Sequence, residues 1–314
     1  MHGGQLNKDR SPRLLVVGGT GFIGRNLAQA ARQRGYRVCV LSSGRTRGEQ
    51  TEDGIDHLKA DIGNRHSLEP VLAGRAVDYV VNLGGTIHHA DYFSGGSAVI
   101  NAHFNGLVNL VDLLDWSRIK GFVQAGSSDE YGSLAAPQSE QIREAPFSPY
   151  SFAKTAGCHF LQMLHRQNRL PVSMVRFFLV YGPGQDRDRF IPQIISGCLK
   201  GETFPVSLGE QVRDFCYIDD IVAGILTTLE CPESAGQVIN LASGRPVSIR
   251  SVVEMVRTMV GSGHPDYGRI PYRDGENMAL FADISKARSL LGWRPEISLE
   301  EGIRRSIAAY GGGS

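Results

Sequence analysis

The stretch Leu14-Leu15-Val16-Val17-Gly18-Gly19-Thr20-Gly21-Phe22-Ile23-Gly24 constrains this chain more than any other. Four apolar residues, two of them β-branched, read as a strand buried on both faces. A turn with the spacing G-x-x-G-x-x-G follows, and Asn26 to Arg34 has a helical pattern. Strand, tight turn and helix start together make a dinucleotide phosphate site. Glycines let backbone approach a pyrophosphate, and a helix N-terminus offers free N–H groups and partial positive charge. Gly18, Gly21 and Gly24, with Phe22 and Ile23 between them, are therefore expected to hold a dinucleotide. The alternative is a glycine turn of any α/β protein, and the flanking strand and helix weigh against it.

Composition narrows the partners. The 33 basic and 32 acidic residues leave a net charge of +1, which supports neither a nucleic-acid nor a membrane-surface partner. No apolar run approaches the ~20 residues of a membrane span. Residues 1–12 hold no apolar signal core. The five cysteines are scattered without a C-x-x-C pair, so free thiols in a reducing cytoplasm are expected rather than zinc or disulfides. A length of 314 residues suggests two domains, or one large one.

Tyr36 to Leu41 reads as the second strand, followed by Ser42, Ser43, Gly44, Arg45 and Arg47. An NAD site of this type carries a carboxylate there for the ribose hydroxyls. Serines and arginines can instead bind a 2′-phosphate, so NADP(H) is favoured and NAD(H) is possible. The arginines could equally be solvated loop charges. His57 to Asp61 is a short strand that places Asp61 and Ile62 at an adenine contact. Tyr79 to Leu83 is the next strand, and Gly84-Gly85 lets backbone pass close to the cofactor. His88 and His89 are adjacent and do not face one another, so they suit a polar loop at the site mouth better than a metal. A helical pattern covers Ile100 to Trp116, with Asn105 inside it. Phe122 to Ala125 is a strand ending in Gly126-Ser127-Ser128-Asp129-Glu130-Tyr131-Gly132. Next, Tyr150 and Lys154 share one face of a helix running to about Gln167. A lysine ammonium near a phenol favours the phenolate, which suits an acid or base at a carbonyl or carbinol oxygen.

Beyond a strand at Val172 to Phe178 the pattern becomes mixed. A helix is expected from Arg189 to Gly201 and a strand at Val212 to Tyr217. Asp219 is expected to cap a helix over Asp220 to Leu229, with a strand at Val238 to Ala242. Helices at Ser285 to Leu291 and Ser298 to Tyr310 close the chain, the last with a Ser298/Glu301 capping box. The expected fold is α/β: a doubly wound parallel sheet of Rossmann type over 12–180, to which 213–243 returns. A smaller mixed α/β domain, 181–212 and 244–310, would hold an anionic substrate.

Over roughly residues 12 to 310 the chain resembles the extended short-chain dehydrogenase/reductases that act on nucleotide sugars. The resemblance rests on GGTGFIG at Gly18, NLGG at Asn82, GSSDEYG at Gly126, PYSFAK at Pro149, VYGPGQ at Val180, RDFCYIDD at Arg213 and ADISKARSLLGW at Ala282. It implies that Tyr150 is the acid/base and that Lys154 holds the nicotinamide ribose. It implies that Ser128, or its neighbour Ser127, hydrogen-bonds the reacting oxygen. Leu83, Gly84 and Gly85 would line the cofactor, while His88, Arg189, Arg213 and Arg273 would face a nucleotide-diphosphate sugar. Relatives often pair as homodimers through the helices that hold Asn105 and Tyr150. Leu179 stands where relatives carry an asparagine that touches the substrate. The adjacent carboxyls Asp129 and Glu130 invite a 4,6-dehydratase reading, but the run is one residue shorter than the dehydratase form and closer to that of 4-keto-6-deoxysugar reductases. Reduction of a 4-keto-6-deoxyhexose is the expected reaction. A 4-epimerase with tightly bound NAD is second, the dehydratase third, and an NADP-sensing or scaffold protein the non-enzyme alternative.

Overall fold

The computed structural model describes residues 11–44, 54–85, 88, 90–272 and 275–312. The first elements are mostly strands followed by helices. They are β1 (Arg13–Val17), α1 (Phe22–Gln33), β2 (Arg37–Ser42), β3 (Asp56–Lys59), α2 (Arg65–Leu72), β4 (Tyr79–Asn82), α3 (Ser97–Ile100), α4 (Gly106–Leu113), β5 (Gly121–Ser127), α5 (Pro149–Asn168) and β6 (Val172–Phe177). A wide π-type turn at Asn101–Asn105 joins α3 to α4 without breaking the helix. The later elements are β7 (Leu179–Tyr181), α6 (Phe190–Lys200), β8 (Thr203–Val206), β9 (Val212–Tyr217), α7 (Ile218–Glu230), β10 (Val238–Leu241), β11 (Pro246–Ser248), α8 (Ile249–Val260), β12 (His264–Tyr267), β13 (Ala279–Leu280), α9 (Ser285–Leu291) and α10 (Leu299–Gly311).

The main sheet has seven strands in the order β10-β6-β5-β4-β1-β2-β3. Registers are parallel, Leu15 opposite Cys39 on one side of β1 and Val80 on the other. Leu14 to Val17 are all buried, as a central parallel strand demands, and each such side chain contributes roughly 1.5–3 kcal/mol. The strand order reverses at β1: β2 and β3 lie to one side of it and β4 to the other. In open α/β sheets ligands sit outside the carboxyl ends of strands at such a reversal. Gly18 and Leu83, which follow β1 and β4, lie at that place.

The chain divides into two compact units. The first is Met1–Ala125, Ser148–Met174 and Thr228–Gln237; the second is Gly126–Phe147, Val175–Thr227 and Val238–Ser314. In the second, β9 pairs with β11 antiparallel and with β7 and β13 in parallel, and β8 pairs with β12. Asp214 on β9 is fully buried and accepts from Ser243 N and Oγ, Gly244 N and Ala282 N at 2.6–3.3 Å. Burial pushes its carboxyl up, opposed by these donors. Asp214→Ala is expected to orphan buried N–H groups at roughly 1–3 kcal/mol each, seen as a lower urea midpoint with an unchanged slope.

Two expectations are corrected. Helix α1 begins at Phe22 rather than Asn26, because Gly21 is extended and serves as its N-cap. Asp219 does not cap α7. The helix starts at Ile218, with Asp219 and Asp220 in its first turn, and Asp220 accepts from Glu296 N and Ile297 N at 3.0 Å. Helices α2 and α8 had no counterpart in the sequence reading.

Candidate functional site

The glycine turn is built as a cradle. Gly18 has φ +74°, and a Cβ there would stand 2.8 Å from the Leu83 carbonyl oxygen. A Cβ on buried Gly24 would collide with the Gly18 carbonyl. Chain packs so closely here that only glycine leaves room, which opens the backbone N–H groups of the α1 start to a ligand. At the end of β2, the buried Ser42 hydroxyl has no hydrogen-bond partner among the described residues. An orphaned buried hydroxyl beside a glycine cradle fits the ribose end of a dinucleotide. Ser43 is exposed, Asp61 is exposed with Oδ1 accepting from Gly63 N at 2.9 Å, and Ile62 is buried against Gly84 and Gly106. Arg45 and Arg273 lie outside the described residues, as do Arg47 and His89.

Tyr150 and Lys154 lie in the first turns of α5. Ser148 caps this helix through a bond from Ser151 N to its Oγ at 3.1 Å, and Pro149 follows at the first helical position. Both side chains are buried. Lys154 Nζ lies 5.7 Å from the Tyr150 ring centroid and donates to Ala125 O at 2.9 Å. His103, in the wide turn, packs edge-on to the Tyr150 ring at 5.1 Å between centroids.

Sequence reading missed three of the side chains here. His103 is one. The others are Asn82 and Gln124, register partners on β4 and β5, which are buried and hydrogen-bonded to one another at 2.8 Å. Polar residues inside two otherwise apolar parallel strands are the signal that could have found them.

In the second unit, Ser127 ends β5 and its Oγ accepts from Asp129 N at 3.2 Å; Ser128 is buried. The neighbouring carboxyls are not alike. Asp129 is half-buried, whereas Glu130 is completely buried. Its Oε1 accepts from Ser127 N at 2.8 Å and its Oε2 from Arg176 Nε at 2.9 Å. Arg176 is itself fully buried, ion-paired also to Glu144 at 2.5 Å and stacked 4.6 Å over the Tyr131 ring. The two adjacent carboxyls thus sit in different surroundings. Arg213 is buried and ion-paired to Glu276. Arg189 stands exposed as the N-cap residue of α6, and His88 is exposed in its loop. Among the described residues no cluster of metal-ligating side chains occurs, and no helix is long and apolar enough to cross a membrane.

Known proteins resemble this chain along most of its length. The family model for the NAD dependent epimerase/dehydratase family matches residues 14–242. The chain is 28% identical to a UDP-glucuronate 4-epimerase of Thermodesulfobacterium geofontis, over 93% of this chain and 94% of that protein. It is 29% identical to a dTDP-glucose 4,6-dehydratase of Xanthomonas campestris, over 94% and 92%. Among solved structures, UDP-glucuronic acid 4-epimerase from Bacillus cereus, in complex with UDP-glucuronic acid and NAD, superposes with a TM-score of 0.85 at 26% identity, over 96% of this chain and 99% of that one. That neighbour carries NAD, so the NADP preference expected from Ser42, Ser43 and Arg45 finds no support in it.

Proposed function

The chain belongs to the NAD-dependent epimerase/dehydratase family, and we propose that within it the chain is a 4-epimerase acting on a UDP-linked hexose or hexuronic acid with retained NAD. The observation that carries this choice is the state of Glu130. A dehydratase of the kind expected from the sequence needs a second carboxyl free to move protons, and both oxygens of this one are engaged, Oε1 by Ser127 N and Oε2 by the buried Arg176. An epimerase needs only one acid/base at the sugar hydroxyl. The reductase reading drew on the short Asp129-Glu130-Tyr131-Gly132 run together with an NADP preference, and the relatives reported above do not supply that preference.

Bound NAD would supply the hydride acceptor and donor. Tyr150 takes the proton of the 4-hydroxyl as the carbinol is oxidised and returns it when the ketone is reduced from the other face. The Lys154 ammonium favours the negative charge that develops on the phenol oxygen. Gly18, Gly21 and Gly24 with the start of α1 hold the pyrophosphate, and Ser42 bonds the adenosine ribose. Arg213 exchanges its Glu276 partner for the substrate diphosphate, which a guanidinium binds in bidentate fashion. Ser128 keeps the hydrogen bond to the reacting oxygen that the resemblance implies. The homodimer stays part of this reading, supported by the half-exposed Phe152 on α5.

The test is direct. Purified protein is denatured and the released nucleotide identified, and native protein is incubated with UDP-glucuronate or UDP-glucose. Released NAD and interconversion of 4-epimers without net change in reduced nicotinamide are expected. Stoichiometric loss of NADPH with a 4-keto sugar would restore the reductase instead. Glu130→Gln keeps an acceptor for Ser127 N and is expected to retain turnover within about tenfold. A loss in the ~10²–10⁴ range of acid/base catalysis would return Glu130 to the chemistry and favour the dehydratase.

A further inference from the structure

A chain of buried hydrogen bonds runs through the first unit from the loop after β4 to Lys154. Gly84 N donates to Asn82 Oδ1 at 3.0 Å, Asn82 Nδ2 to Gln124 Oε1 at 2.8 Å, and Gln124 Nε2 to Ala125 O at 3.1 Å. The same carbonyl receives Lys154 Nζ at 2.9 Å. Asn82, Gln124 and Lys154 are all buried.

The direction of this chain is fixed by its ends. A backbone N–H can only donate, so the Asn82 atom at Gly84 is the carbonyl oxygen and its NH₂ faces Gln124. Gln124 then meets that NH₂ with its oxygen and turns its own NH₂ to Ala125 O. A carbonyl at the other end agrees, since it can only accept. Neither amide can flip without setting donor against donor or acceptor against acceptor. The Ala125 carbonyl is thereby held by one neutral donor while it receives the ammonium. A fully satisfied polar network in a low-dielectric interior is stiff, and a partly satisfied one is costly.

We propose that Asn82 and Gln124 are positioning residues for Lys154. Through Ala125 O they set where the ammonium stands relative to Tyr150, and they tie that placement to the loop at Gly84. The proposal rests on the reading of Tyr150 and Lys154 as the working pair. The ionisable groups seen against the Tyr150 ring are Lys154 and His103.

The experiment compares Asn82→Asp, Gln124→Met and Tyr150→Phe as full-length protein with retained NAD. Asn82→Asp has the shape of the asparagine and still accepts from Gly84 N. Its second oxygen cannot donate, so Gln124 must turn and present its own oxygen to Ala125 O. Gln124→Met keeps volume and removes both bonds. For each variant, kcat, KM, NAD retained per folded chain and the pH profile of kcat are measured. Both Asn82→Asp and Gln124→Met are expected to lose about tenfold to a hundredfold in kcat, the size expected for a misplaced catalytic group, with KM nearly unchanged and NAD retained. The acid limb of kcat is expected to move to higher pH, because a displaced ammonium supports the phenolate less. Wild-type kcat and profile in folded Asn82→Asp would overturn the proposal. So would a lower denaturation midpoint in Gln124→Met with kcat per folded chain unchanged, the mark of a purely structural network. Full activity in Tyr150→Phe would instead sink the reading beneath it, and the two failures are separate.

Discussion

Tyr150→Phe is expected to lower turnover by about a hundredfold or more while leaving the protein folded and its nucleotide bound. The phenol oxygen is the only atom removed. The ring stays in its buried place at the start of α5, edge-on to His103, and Phe makes the same contact. The Lys154 bond to Ala125 O does not involve the tyrosine oxygen and persists. What is lost is the proton acceptor for the sugar hydroxyl, and general acid/base catalysis accounts for ~10²–10⁴ in rate. The loss should fall on kcat, with little change in KM, because the interaction develops in the transition state. The measurement is epimer interconversion under saturating sugar nucleotide, with NAD content determined on the same sample. Undiminished turnover with bound NAD would remove Tyr150 from the proton transfer.

The sequence and the structure agree best where one physical cause dominates. Leu14 to Val17 read as a strand buried on both faces, and they form one, with the glycine turn directly behind it. The span of α5 was legible because Pro149, a serine cap and a Tyr/Lys face coincide. Helix α2 was hidden because Pro70 lies inside a helix of only eight residues and disguises its period. Helix α8, absent from the sequence expectations, carries a legible pattern: Ile249, Val252, Val253 and Val256 are its buried stripe, and Ser248 accepts from Ser251 N. The short strands β8 and β12 are four residues each and carry Pro205 and Pro265, which argue against a strand in the sequence. In the candidate site, Glu130 reads as reactive from its neighbour alone. Its fate is decided by Arg176, 46 positions later, which no local pattern announces. Asn82 and Gln124 stand out singly as polar residues in apolar strands, but their pairing emerges only when β4 and β5 come into register.

Gly18→Val is expected to abolish nucleotide retention, and the cause can be separated from general destabilisation. Gly18 has φ +74°, a conformation that costs an L residue about 1–2 kcal/mol and a β-branched one more. Its Cβ would also stand 2.8 Å from Leu83 O and 3.0 Å from Gly84 N, both backbone atoms that no rotamer change can move. Relief requires the turn to open away from β4, at the place where the pyrophosphate would meet the α1 N-terminus. A displacement of this kind should weaken NAD by about a hundredfold or more, at least about 2.8 kcal/mol at 1.4 kcal/mol per decade. Gly35→Val is the matched control. It too has positive φ, +89°, but a Cβ there meets nothing within 4 Å. Both variants pay the backbone strain, so both should show a lower thermal midpoint. Only Gly18→Val should lose its nucleotide on desalting and regain little on addition of NAD. Equal retention in the two variants would mean that the glycine turn does not hold the cofactor. Equal loss would mean that strain anywhere in the first unit suffices, and the cradle would have no special part.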